Sequence, residues 1–165
     1  NADYARDVHV ADLDGDGDLD IVSASSVDDT IAWYENDGAA NPSWTAADIA
    51  TSADYAFAVH VADMDGDGDL DIASTAFFAD YQRDPAGGFV LLRQDQPLKF
   101  TPLALPAADS RWLAMDAADL DDDGDVDIVL GAYNNGPSES GYPTAIRVRW
   151  QANPVPLIIL RNRSK

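Results

Sequence analysis

The chain writes one nine-residue acidic pattern three times: "DLDGDGDLD" at 12–20, "DMDGDGDLD" at 63–71 and "DLDDDGDVD" at 119–127. These stretches hold five, five and six aspartates, sixteen of the thirty acidic residues. The formal charge of −20 is therefore largely local, because the other fourteen acids nearly balance ten Lys and Arg. Only Glu35 and Glu139 among the thirty are Glu. A merely solvated acidic face would not select the shorter carboxylate, so the pattern points to a geometric demand on the side chain.

The repetition extends beyond the acids. "ADYARDVHVADLDGDGDLDI" at 2–21 aligns without a gap on "ADYAFAVHVADMDGDGDLDI" at 53–72, and "LAMDAADLDDDGDVDI" ends the same way at Ile128. The pattern starts at Asp12, Asp63 and Asp119, a spacing of 51 and then 56 residues that suits one four-stranded unit with its turns. In "VHVAD" the residues alternate, with Val8 and Val10 on one face. "LDIVSAS", "LDIASTAF" and "VDIVLGAY" are runs suited to buried central strands. "TIAWYEND", "GFVLLRQD" and "PLIILRNR" give a third strand with Trp33, Leu91 and Ile159 in register, and "WTAADIAT" and "KFTPLALP" a fourth.

The expected fold is all-β: three β-propeller blades, each a four-stranded antiparallel sheet, spanning 1–52, 53–108 and 109–165. The third lacks its fourth strand and carries an insertion at about 134–154. An unfilled last blade suggests the C-terminal part of a larger propeller, its ring closed by upstream blades or by other chains. Closed rings have about four to eight blades, and three would leave two apolar sheet faces uncovered.

With 165 residues, 46 % of them apolar, the chain can bury a core, and without cysteine it has neither disulfides nor thiolate metal sites. No apolar run approaches the roughly 18–20 residues of a membrane span, and "NADYARDVHV" lacks the features of a signal peptide, so a soluble, processed chain is expected.

In the first loop, side-chain oxygens fall at positions 1, 3, 5 and 9, namely Asp12, Asp14, Asp16 and Asp20. Gly17 at position 6 can take the positive φ of a sharp reversal, letting the carbonyl of Asp18 turn inward. Such an all-oxygen set suits a hard cation of flexible geometry, Ca²⁺ better than Mg²⁺. An EF-hand shares the first positions but needs a Glu at position 12 and flanking helices, whereas position 12 here is Ser23, Ser74 or Leu130.

These loops, together with "IAWYENDG" at 31–38 and "VLGAYNNGP" at 129–137, resemble the FG-GAP/VCBS repeats of integrin-α-type calcium-binding β-propellers. The resemblance implies three Ca²⁺ sites. Their side-chain ligands are Asp12, Asp14, Asp16 and Asp20; Asp63, Asp65, Asp67 and Asp71; and Asp119, Asp121, Asp123 and Asp127. Asp18, Asp69 and Asp125 add carbonyl ligands. Asp122 replaces Gly15 and Gly66 in the third loop, which puts its backbone shape or affinity in question.

A cation fully enclosed by protein ligands leaves no position for substrate, so the expected role is structural and the chain is not expected to be an enzyme. Weak calcium sites fill where the ion is millimolar, which points to a secreted or cell-surface protein. The expected function is recognition, adhesion or assembly with a glycan or protein ligand. The alternatives are a noncatalytic part of a secreted enzyme and a structural subunit of a surface assembly. Tyr81, Arg83, Tyr142, Arg147, Arg149 and Trp150, in segments that vary between units, are candidate ligand contacts; alternatively, "AIRVRW" is an extra strand or short helix packed on the blade. His9, His60 and Asp116 share one strand position but are expected to stand apart around the ring, which disfavours both catalysis and metal ligation there. Eight Arg and two Lys form no basic cluster, so no nucleic acid partner is expected.

Overall fold

In a computed structural model, residues 3–77, 88–103, 110–133, 144–152 and 154–163 are described, and the side chain of Arg149 is not. Tyr81, Arg83 and Tyr142 lie outside the described residues. The chain is all-β and its strands form three antiparallel sheets. The first contains β1 (Ala5–Ala11), β2 (Asp20–Ser25), β3 (Thr30–Asn36) and β4 (Trp44–Ala50), in that spatial order. The second contains β5 (Ala56–Ala62), β6 (Asp71–Ala76), β7 (Phe89–Gln96) and β8 (Lys99–Leu103), again in sequence order. The third runs β9 (Trp112–Ala118), β10 (Asp127–Ala132) and β11 (Leu157–Leu160), with no fourth strand among the described residues. This is the meander of propeller blades, and the three sheets do not close into a ring.

Repeat equivalence holds at the level of single pairs. Val22 faces Trp33, Ala73 faces Leu91 and Val129 faces Ile159 across the second and third strands of their sheets. The second strands of the first two sheets are buried along most of their length, and that of the third along half of it.

The sheets stack face to face through two cores. Leu13, Val22, Ile31 and Trp33 of the first unit meet Val59, Val61, Ile72 and Leu92 of the second. Met64, Phe89 and Leu91 then meet Trp112, Ile128 and Leu130. Leu13 and Met64 hold the same loop position and are buried, whereas their equivalent Leu120 is 44 % exposed on the outer face of the third sheet. At the opposite end Val8 and Val10 are 58 % and 53 % exposed, although Val59 and Val61, their equivalents, are buried.

Arg111, fully buried, lies 4.0 Å over the Phe77 ring and 5.8 Å from that of Tyr133, stitching the second unit to the third. The segment "AIRVRW" belongs to a helix, α1 (Thr144–Ala152), whose Ile146 and Trp150 pack on Ala76. Trp150 was expected among the ligand contacts, but a ring 2 % exposed and committed to this packing cannot meet a ligand. Arg147 on the same helix is partly exposed, its guanidinium donating to the Thr144 hydroxyl at 3.4 Å.

The histidines are also a correction. The first strands β1, β5 and β9 lie in succession, so equivalent residues meet instead of standing apart. The His9 and His60 rings are 4.4 Å apart between centroids and tilted by 59°.

Candidate metal centre

Each acidic loop joins the first strand of its sheet to the second, so its ends are fixed by a β-ladder: Ala11 pairs with Asp20, Ala62 with Asp71 and Ala118 with Asp127. Within that frame the aspartates fold the backbone around themselves. Asp12 accepts from the amides of Gly15 and Gly17, both at 2.9 Å, and Asp63 accepts from Gly66 and Gly68 at 2.7 and 3.0 Å. In the third loop Asp119 accepts from Asp123 and Gly124 instead. Asp14 and Asp65 each accept from the amide two residues on, as do Asp16, Asp67 and Asp123.

Position 9 has a distinct place. Asp20, Asp71 and Asp127 are buried, and each bridges two backbone amides: one oxygen takes the N–H of Leu13, Met64 or Leu120, the other that of Asn36, Gln94 or Asn162. This carboxylate therefore ties the loop to the third strand of its own sheet in the first two units and to Asn162, just past β11, in the third. The sequence pattern marks these residues as candidate ligands but gives no sign of the clamp, because the amides that make it carry no side-chain signature.

Carboxylate oxygens converge in all three loops. One oxygen each from Asp12, Asp14 and Asp20 lies within 4.8 Å of the others, and the same holds for Asp63, Asp65 and Asp71 and for Asp119, Asp121 and Asp123. Position 5 (Asp16, Asp67) is outside the first two groups and the third group has Asp123 in place of Asp127. Asp18 and Asp69 are partly buried and Asp125 is buried.

The acids of each cluster act on one another. Burial raises Asp14, and Asp16, Asp20 and Asp12 raise it further against the opposing amide bond from Asp16. Burial and then Asp67 raise Asp65. Burial raises Asp71 against the amides of Gln94 and Met64, with Asp65 and Asp67 adding to the rise. Hard oxygens only, mutual repulsion and few competing cations are the donor chemistry that suits Ca²⁺, so the residues present fit the ion.

The three loops are not equal. At one third-strand position the units carry Glu35, Arg93 and Arg161. Arg93 pairs with Asp95 at 2.6 Å and approaches Asp65 at 3.9 Å. Arg161 hydrogen-bonds Asp121 directly and stands 3.9 Å from Asp127. The third loop thus receives a guanidinium among its own acids, and its three grouped carboxylates are all exposed. Its backbone nonetheless keeps the shape of the others: Asp122 has φ 60°, where Gly15 and Gly66 have 78° and 79°.

No curated protein matches the chain. Residues 3–74, which hold the first sheet, the first two acidic loops and the start of the second sheet, match the family model of the FG-GAP-like repeat, consistent with an FG-GAP repeat family.

Proposed function

We propose that the chain is a calcium-stabilised, noncatalytic propeller module of an extracellular protein, serving recognition or assembly with a glycan or protein ligand. The observation that carries the calcium reading is the position-9 clamp. A cation drawn by the clustered carboxylates acts on an aspartate already bonded to the third strand, so filling a loop tightens the whole sheet. Asp12, Asp14, Asp20 and their equivalents would hold the ion, with Asp16, Asp67 and the carbonyls of Asp18, Asp69 and Asp125 within the same loops. When bound, the ion supplies positive charge, while the protein supplies the frame.

A Kd on the order of 10⁻⁴ M at about 2 mM Ca²⁺ contributes about 1.8 kcal/mol per filled site. Sites of that strength would fill where Ca²⁺ is millimolar, as it is outside cells. Among the described residues no helix is long and apolar enough to cross a membrane.

The end faces support assembly. Ile31 and Phe89 are buried between sheets while their equivalent Leu157 is 54 % exposed, and Ile159 stands open where Trp33 and Leu91 are covered. Further sheets of the same kind, from the same polypeptide or another, are the natural cover. The experiment is a calorimetric Ca²⁺ titration of the wild type beside Asp12→Ala and Asp63→Ala. Each variant is expected to lose one binding event; unchanged stoichiometry in both would refute the assignment of the loops.

A further inference from the structure

We infer that His9 and His60 form a metal site of a second kind, a two-imidazole seat on the inner strands for a transition-metal dication of the Zn²⁺, Ni²⁺ or Cu²⁺ class. The geometry carries it. The two rings lie 4.4 Å apart at 59°. Imidazoles that share one ion at about 2.0–2.1 Å have centroids roughly 4.5–5.2 Å apart for nitrogen–metal–nitrogen angles of about 90–110°, so the pair reaches that arrangement by rotating its rings and parting them by less than about 1 Å. Both residues sit on rigid ladders, His9 opposite Val22 in β1 and His60 opposite Ala73 in β5, which fixes their Cα positions before any ion arrives.

The surroundings agree. Burial lowers both histidines and His9 lowers His60 further, which favours the uncharged form that ligates metal. Two carboxylates face the pair. Asp7 accepts from the backbone amide of Val59, next to His60, at 3.0 Å, and exerts its field on both histidines. Asp116, at the equivalent position of β9, acts on His60. Three successive inner strands therefore present His, His and Asp at one level, each three residues before an acidic loop. These anions offset the charge of a bound ion and can orient its imidazole ligands.

Selectivity follows from donor type. Carboxylate and carbonyl oxygens suit Ca²⁺, and imidazole nitrogen suits Zn²⁺, Cu²⁺ and Ni²⁺, so calcium saturation leaves the histidine seat available. The inference is independent of whether the acidic loops hold calcium.

The test is a titration of calcium-saturated protein with Zn²⁺ at neutral pH, together with the electron paramagnetic resonance spectrum of its Cu²⁺ form. One Zn²⁺ per chain is expected, with affinity at least tenfold weaker in His9→Gln and in His60→Gln, and a Cu²⁺ spectrum showing coupling to nitrogen that either variant diminishes. His60→Cys restores a zinc ligand and is expected to recover much of the zinc affinity, which separates a lost ligand from a disturbed fold. Zinc binding equally strong in both Gln variants, or no zinc uptake by the calcium-saturated wild type, would overturn the inference.

Discussion

Asp14 and Arg161 mark the two ways a carboxylate cluster can be relieved, by a solution cation or by a side chain of the chain itself. Arg161 bonds to Asp121, so calcium must displace a guanidinium there, whereas Glu35 puts no such competitor at the first loop. Arg161→Gln is expected to strengthen calcium binding at the third loop severalfold and leave the first unchanged, as read from the separate classes of a calorimetric titration. Asp122→Gly removes a side chain from a left-handed position and is expected to stabilise the calcium-loaded protein by on the order of 0.5 kcal/mol, net of the extra freedom glycine gives the unfolded chain. The histidine pair predicts a pH dependence. With folded values held below the ordinary histidine value of 6.5, the unfolded chain takes up protons first as pH falls. The neutral pair's contribution is therefore complete above pH 6.5 and is lost as pH falls through the lowered folded values. Asp7 and Asp116 partly oppose the lowering. The melting temperature of the calcium-saturated wild type should fall on acidification below this point, and that of a His9→Gln, His60→Gln double variant should fall less.

At the scale of the sheet, the buried aspartate of position 9 sets the connection between loop and third strand. Asp71→Ala leaves the amides of Met64 and Gln94 without their acceptor, a loss of about 2–4 kcal/mol even without calcium, whereas Asp67→Ala in the exposed part of the same loop should cost little in chelator. Equal destabilisation of the two variants in EDTA would contradict the clamp. The strands and the acidic loops were legible because alternation, β-branched runs and a repeated spacing are local signals. The clamp was not, since one amide of each pair is a backbone group sixteen to thirty-five residues away. Trp150 misled for a related reason: an aromatic in a variable segment reads as exposed until Ala76 is seen beneath it. The meeting of His9 with His60 depends on how closely the first strands of successive sheets approach, which no residue pattern in either strand encodes.

For the whole molecule, stacked sheets with two open faces imply association. The isolated chain is expected to self-associate with rising concentration, and Val10→Asp or Ile159→Asp, each charging one open face, should shift sedimentation toward the monomer. The central claim, that calcium braces the sheets through the acidic loops, is tested most directly by the thermal melt in about 2 mM Ca²⁺ against the melt in EDTA. Two or three filled sites at about 1.8 kcal/mol each, with roughly 2–4 °C per kcal/mol for a chain of this size, predict a midpoint roughly 7–22 °C higher with calcium. A midpoint that EDTA leaves unmoved would contradict the account.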